Sequence, residues 1–113
     1  MRSMEISAQR KGVIDIITFK GNLDTNSAGE GEDYLVKLIG DDSSKVLINC
    51  SELEYISSAG LRVFLVAAKA LKEKSGELLL CSLNEIVAEV FEISGFDTIF
   101  STFDSEEEAL GNF

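Results

Sequence analysis

The sequence predicts an α/β fold, a mixed β-sheet with helices packed on it and elements in the order ββαβαβαβα. Short apolar runs rich in β-branched residues alternate along the chain with segments whose apolar residues recur at helical spacing. Neither a proline nor an internal repeat interrupts this alternation. Strands that alternate with helices imply parallel βαβ units with right-handed crossovers. At 113 residues the chain has the length of one domain, which we assign to residues 1–113.

The first two elements are predicted strands that form a hairpin. Residues 4–9 alternate between apolar and polar side chains, and residues 13–19 are rich in β-branched side chains. A short turn at residues 10–12, which ends in a glycine, joins the two strands.

A helix is predicted to follow the second strand. The segment Gly-Asn-Leu-Asp at residues 21–24 interrupts the strand, and Thr25 or Asn26 provides the helix cap. Over residues 27–39 the apolar side chains fall on one side at helical spacing, although two glycines weaken the first turn. Gly40 ends the helix.

The middle of the chain is predicted to form a strand, a loop, a helix and another strand. Residues 45–50 are a nearly continuous apolar run, which is typical of a central strand covered on both faces. A loop leads through Glu52 and Tyr55 to a helix over residues 58–74, whose lysines near its end suit the negative pole of the helix dipole. Residues 77–81 form the next strand.

Three short elements complete the prediction. Asn84 caps a helix that Gly95 ends, and the helix carries the apolar residues Ile86, Val87, Val90, Phe91 and Ile93. Residues 96–100 give a last short strand. Residues 104–110 form a terminal helix with acidic residues in its first turn, where the helix dipole favours them.

The strongly negative charge of the chain limits its partners. There are 20 acidic and 10 basic residues, which gives a net charge of −10. Because a nucleic-acid backbone is bound mostly by clustered lysines and arginines, we expect no nucleic-acid partner. The longest apolar stretch is far shorter than a membrane span, and charged residues interrupt any apolar region near the N-terminus. We therefore expect a cytoplasmic protein without membrane contact, and a monomer because of its charge.

Enzyme and metal chemistry are disfavoured by the composition. The sequence has no histidine, and we interpret Cys50 and Cys81 as buried thiols because both sit among apolar residues. It contains neither the P-loop pattern nor a Gly-x-Ser-x-Gly turn. Asp24 and Glu54 are interpreted as exposed loop carboxylates rather than as a catalytic pair. We expect no enzymatic activity, no cofactor and no metal.

Two segments follow the carboxyl ends of predicted strands, where ligands and partners approach open α/β sheets. One is residues 21–24, and the other is Ser57-Ser58-Ala59-Gly60, which opens the long helix. The serines have two interpretations. Either hydroxyl can be a simple helix cap, with Gly60 permitting close packing. Alternatively a serine at this helix end accepts a phosphate, since free amides and the positive end of the dipole favour an anion there.

Across its whole length the sequence resembles the STAS domain family, and within it the bacterial anti-sigma-factor antagonists. Three features carry the resemblance, and their order and spacing agree as well. They are the Gly-Asn-Leu-Asp segment at residues 21–24 with Ala28 behind it, the strand and following serine at residues 46–51, and Tyr-Ile-Ser-Ser-Ala-Gly-Leu at residues 55–61. The resemblance implies a single STAS domain with a regulatory role.

The resemblance also implies a partner switch. In the family the unphosphorylated antagonist binds an anti-sigma factor that is also a serine kinase, so that a sigma factor is released. The kinase then phosphorylates the antagonist and frees itself, and a PP2C-type phosphatase restores the active form. Alignment on Gly60 places the acceptor at Ser58. Ser57 is the second choice, because it stands where the family usually has an aspartate and so offers a second hydroxyl beside the acceptor. Asp24 falls on the family's loop aspartate near the acceptor.

Further residues complete the predicted partner-binding surface. The resemblance assigns Asp24, Ser57, Ser58, Ala59, Gly60 and Arg62 to it. Arg62 pairs with the phosphate or with a partner carboxylate, or is an exposed arginine of no special role. Asn49 stands where an aspartate is frequent, which alters a local hydrogen bond.

Two other functions stay open at this point. The chain can be a constitutive STAS subunit of a larger transport or signalling complex, in which Ser58 is a cap or interface group and is not phosphorylated. A weaker alternative is nucleotide binding near Asp24 and Ser58.

Overall fold

Six strands and four α-helices alternate along residues 4–113, the part of the chain that this computed structural model describes. The strands are β1 (Met4–Lys11), β2 (Ile14–Leu23), β3 (Lys45–Asn49), β4 (Leu53–Ile56), β5 (Glu77–Cys81) and β6 (Thr102–Phe103). The helices are α1 (Ala28–Gly40), α2 (Ser58–Glu73), α3 (Glu85–Ser94) and α4 (Glu106–Leu110), with a 3-10 helix at Phe96–Thr98. The predicted α/β class with a mixed sheet is confirmed, with one more strand than expected. Residues 1–3 of the predicted domain lie outside the described residues.

The long strand β2 organises the sheet. The strand order is β1-β2-β3-β5-β6, with β1 antiparallel to β2 and the other pairs parallel. The first half of β2 pairs with β3, whereas its end pairs with β4, which lies off this path. The pairing with β4 shifts register between Gly21 and Asn22. Gly21 has a φ of 104°, a conformation that favours glycine, so β2 changes partners at a residue suited to the change.

Two cores of unequal size lie on the two faces of the sheet. The larger contains the buried residues of α1, α2 and α3, so these helices share one face. At its centre the ring of Phe64 lies between those of Phe19 and Phe91, with centroid separations of 5.8 and 6.2 Å. On the other face α4 buries Ala109 against Ile16 and other strand residues. The sheet is therefore covered on both faces, as the apolar run at residues 45–50 predicted.

The two cysteines lie in different cores, one on each face of the sheet. Cys50 belongs to the larger core and Cys81 to the smaller, and both are free and buried. Burial raises the pKa of both thiols, so they stay protonated. The interpretation of both as buried thiols is confirmed.

Two predicted elements are wrong in the structure. The predicted loop through Glu52 and Tyr55 contains β4, in which only the two end residues are buried, so the alternation that marks a strand is missing. The predicted strand at residues 96–100 is instead a 3-10 helix and its exit. Phe96 and Phe100, four residues apart, bring their rings to 6.0 Å, a spacing that a helical turn satisfies. The short strand lies immediately after it, at Thr102–Phe103.

Candidate functional site

The ends of β2 and β4 bring the two predicted segments together. Leu23 and Ile56 are paired residues of these parallel strands, and the amide of Ser57 donates to the carbonyl oxygen of Leu23 at 3.0 Å. Asp24 and Ser57 therefore follow directly on neighbouring strand ends. The expectation that both segments meet at one edge of the sheet is confirmed. The prediction that residues 21–24 interrupt the second strand is wrong, because β2 continues to Leu23 through its pairing with β4.

Gly60 lets the first turn of α2 approach this strand end. A Cβ atom on Gly60 would overlap the carbonyl oxygen of Leu23 and would lie 2.7 Å from Cγ1 of Ile56. A residue with a side chain therefore cannot occupy this position unless the helix moves. The expectation that Gly60 permits close packing is confirmed, and the position of α2 depends on it.

Ser57 is the N-cap of α2. Its backbone is extended, with φ −98° and ψ 177°, and its hydroxyl oxygen accepts from the amide of Gly60 at 3.3 Å. Its carbonyl accepts from the amide of Leu61 at 2.9 Å. The side chain is half-buried, so its hydroxyl is directed to the helix that it caps.

Ser58 is the first residue of α2 and is exposed. Within residues 4–113 its hydroxyl has no hydrogen-bond partner, and neither have the amides of Ser58 and Ala59. The first turn of α2 contains no acidic residue. An anion attached to Ser58 would therefore meet two free amides and the positive end of a 16-residue helix, with no carboxylate in that turn to repel it.

Asp24 holds the turn that precedes α1. Its carboxylate accepts from the amide of Asn26 at 3.0 Å, and its own amide donates to Oγ of Ser27 at 3.0 Å. Ser27 in turn donates its hydroxyl to the carbonyl oxygen of Asn22 at 2.7 Å. The predicted cap at Thr25 or Asn26 is wrong, because the helix begins after Ser27. The Ser27 hydroxyl makes no cap bond, since it faces back toward the strand end.

Arg62 lies four residues after Ser58 on the exposed side of α2, so the two side chains share a face of the helix. It has no ion-pair partner among the described residues. Glu54 is also exposed, on β4. The structure thus brings Asp24 and Ser57 to one edge of the sheet and leaves the guanidinium of Arg62 available to a partner. The prediction that Gly60 contacts a partner is wrong, because Gly60 is buried against Leu23 and Ile56.

Asn49 makes a contact that the sequence did not predict. Its side-chain amide donates to Oε1 of Glu106 at 3.0 Å, and its side-chain oxygen accepts from the amide of Ser51 at 2.9 Å. The other oxygen of Glu106 pairs with Lys11 at 3.3 Å. An aspartate at position 49 would oppose Glu106, so the asparagine joins β3 to α4. No local signal links residues that lie 57 positions apart.

Other kinds of site are not indicated in the described residues. Residues 4–113 contain no cluster of three or more histidine, cysteine or acidic side chains that could hold a metal. None of the helices in that range is long and apolar enough to cross a membrane. A groove of about 480 Å³ lies beside Lys20, Tyr34 and Glu52, and neither Ser57 nor Ser58 lines it. The candidate site is therefore the surface at the start of α2.

Comparison with known proteins gives a consistent result. A family model described as STAS domain matches residues 5–109. BtrV of Bordetella bronchiseptica, a candidate anti-sigma factor antagonist, is 42% identical over 98 residues, which cover 87% of this chain and 84% of BtrV. These comparisons point to regulatory binding proteins rather than to enzymes.

Solved structures agree with the fold. A candidate anti-sigma factor antagonist of Thermotoga maritima superposes with a TM-score of 0.90 at 21% identity, over 95% of this chain and 92% of that one. The Bacillus cell fate determinant SpoIIAA, in its phosphorylated form, gives a TM-score of 0.75 at 19% identity, over 96% and 98% of the two chains. At these identities the two structures support the fold alone.

Proposed function

This chain belongs to the STAS domain family, and on that premise we propose that it is a cytoplasmic anti-sigma factor antagonist that works by partner switching. Its unphosphorylated form binds an anti-sigma factor that is also a serine kinase, and a sigma factor is thereby released. Phosphorylation of Ser58 ends the binding, and a PP2C-type phosphatase restores it. The observation that carries the proposal is the exposed Ser58 hydroxyl at the start of α2, beside free amides.

The contrast between the two serines supports Ser58 as the acceptor. A kinase must reach the hydroxyl oxygen and attach a phosphoryl group to it. The Ser58 side chain is exposed and has no partner in residues 4–113, whereas the Ser57 side chain is half-buried and accepts a hydrogen bond from Gly60. Phosphorylation of Ser57 would place the phosphate on the oxygen that caps the helix.

Charge is the proposed means of release. A phosphate adds about −1.5 to −2 charges near pH 7. The helix start can accept this charge without refolding, because its free amides bind an anion. A partner that covers Ser58 would meet a bulky anion, and an acidic or desolvated contact there would lose several kcal/mol, on the order of what a like-charge contact costs. Arg62 is assigned to the phosphate or to a carboxylate of the partner.

A phosphorylation assay tests the acceptor. The protein is incubated with the anti-sigma factor kinase from its own genome and with Mg²⁺-ATP, and the intact mass is measured. We expect one added phosphate on the natural protein and on Ser57→Ala, and none on Ser58→Ala. Fragmentation mass spectrometry identifies the site independently. Phosphate at Ser57 would contradict Ser58 as the acceptor and favour the second choice, and phosphate at any other residue would refute the site.

The same experiment separates the proposal from its alternative. Absence of phosphate on a protein that still binds its natural partner would favour a constitutive STAS subunit of a larger complex. A nucleotide titration without kinase tests the other alternative, nucleotide binding near Asp24 and Ser58. Tight binding of ATP or GTP to the isolated protein would support that alternative.

A further inference from the structure

Helix α3 carries apolar side chains that are exposed, in addition to those on its core face. Val87 and Phe91 bury that face in the larger core. Ile86 and Ile93, by contrast, are 57% and 79% exposed. With the half-buried Val90 they occupy positions i, i+4 and i+7, which lie on one side of a helix. We call Ile86, Val90 and Ile93 the apolar stripe.

An acidic edge runs beside the apolar stripe. Glu85, Glu89 and Glu92 are all exposed and also follow an i, i+4, i+7 spacing, so they form a second line along the same helix. No lysine or arginine lies in α3. The exposed side of α3 is therefore apolar along one line and negatively charged along the next.

The start of α3 lies at the edge of the sheet that carries the candidate site. The side chain of Asn84 caps α3 by accepting from the amide of Val87 at 2.8 Å. The same side chain donates to the carbonyl oxygen of Leu53 in β4 at 3.0 Å. β4 ends directly before Ser57, and α2 and α3 both begin after the carboxyl ends of parallel strands. The first turns of the two helices thus lie on the same edge.

We propose that the apolar stripe and its acidic edge are a second docking surface for the anti-sigma factor, one that Ser58 does not control. This inference rests on the proposed function for the identity of the partner. The chemistry requires a partner surface that is apolar and flanked by lysines or arginines, since only such a surface covers the isoleucines and pairs with the glutamates. A second copy of this chain does not fit, because it would bring two acidic edges together on molecules of net charge −10.

A consequence distinguishes this surface from the one at Ser58. Phosphorylation changes the charge at the start of α2 and leaves the stripe on α3 unchanged. The stripe therefore contributes to the affinity of the unphosphorylated form, and its contribution alone does not sustain binding once Ser58 carries a phosphate.

Binding titrations against the purified anti-sigma factor test the proposal. Ile93→Asp and Ile86→Asp are compared with Val36→Asp, which changes a 45% exposed valine on α1 in the same way. We expect each stripe variant to weaken binding at least tenfold and the control to stay within twofold. Glu89→Lys should weaken binding as well, and by less at high salt because salt screens the exposed charges. Circular dichroism melts confirm that all variants fold.

The outcomes separate this inference from the proposed function. Equal affinity of the stripe variants and the natural protein would overturn the docking surface alone. Loss of binding in the stripe variants, with no effect of phosphate on Ser58, would support the surface and contradict the switch. No binding of the natural protein to the anti-sigma factor would overturn both. Self-association that Ile93→Asp abolishes would assign the stripe to a second copy and overturn it too.

Discussion

The starts of α1 and α2 follow neighbouring strand ends, and each has a serine as its N-cap, yet the two serines do different things. Ser27 is 4% exposed and uses its hydroxyl to hold the preceding turn. Ser57 is half-buried, caps its helix, and leaves the next residue, Ser58, exposed. One helix start is closed against its strand and the other presents a hydroxyl to solvent. The residue type alone therefore does not make a site; the direction of the hydroxyl does.

Glycine substitutions in the two first turns give the largest expected difference. In Gly60→Ala the new Cβ overlaps the carbonyl of Leu23, so α2 must shift, and we expect a loss of about 3 kcal/mol of unfolding free energy. Gly29→Ala in α1 is the matched control. It meets nothing within 4 Å and should stabilise by about 0.5 kcal/mol through helix propensity. Urea denaturation measures both, and equal effects would contradict the close contact at Gly60.

Removal of the hydroxyls of the two N-cap serines should give a smaller difference. Ser27→Ala leaves the amide of Asp24 and the carbonyl of Asn22 without their partner in a partly buried turn, and we expect a loss of about 2 kcal/mol. Ser57→Ala removes a single cap bond and should cost about 1 kcal/mol. The same urea series compares them. A larger loss of unfolding free energy for Ser57→Ala than for Ser27→Ala would contradict the conclusion that the Ser27 hydroxyl is the more tightly held of the two.

A negative charge at Ser58, at the start of α2, should weaken partner binding and leave the stability of the fold nearly unchanged. We expect Ser58→Asp to weaken binding of the anti-sigma factor at least tenfold, or about 1.4 kcal/mol, because the carboxylate imitates part of the phosphate charge. Its unfolding free energy should stay within about 0.5 kcal/mol of the natural protein, as for other surface changes. Ser7→Asp, on the exposed edge strand β1, adds the same charge elsewhere and should leave the affinity unchanged. Equal affinity of Ser58→Asp and the natural protein would contradict release by charge.

Much of the fold could be predicted because most elements carry a clear period. The nearly continuous apolar run of β3 and the helical spacing in α2 predicted a covered strand and a long helix, and both are present. β4 could not be predicted, since only its two ends are buried and its stability comes from pairing with the distant end of β2. The error at residues 96–100 has a similar origin, because aromatic residues are common in strands but here Phe96 and Phe100 pack against each other across a helical turn and its exit.

For the candidate site too, some features could be predicted from the sequence and others could not. Sequence reasoning located both serines and Gly60, because a helix start after a strand is a local pattern. The local pattern could not distinguish the two hydroxyls, since their directions depend on the backbone around each residue, and only the family resemblance ranked Ser58 before Ser57. Sequence reasoning also could not predict the contact between Asn49 and Glu106, or that Ile86 and Ile93 remain exposed. Those features depend on which elements pack together.

The change of partner along β2 at Gly21 has a consequence for how this fold can vary. β1, β2, β3, β5 and β6 form a continuous scaffold, and β4 joins it through three residue pairs with the end of β2, through the side chain of Asn84, and through Leu53 and Ile56, which are buried in the larger core. Exchanges at the exposed positions Glu54 and Tyr55 of β4 can therefore change the surface beside the presented serine while the register of the scaffold stays the same. Recognition can diversify there without any redesign of the core.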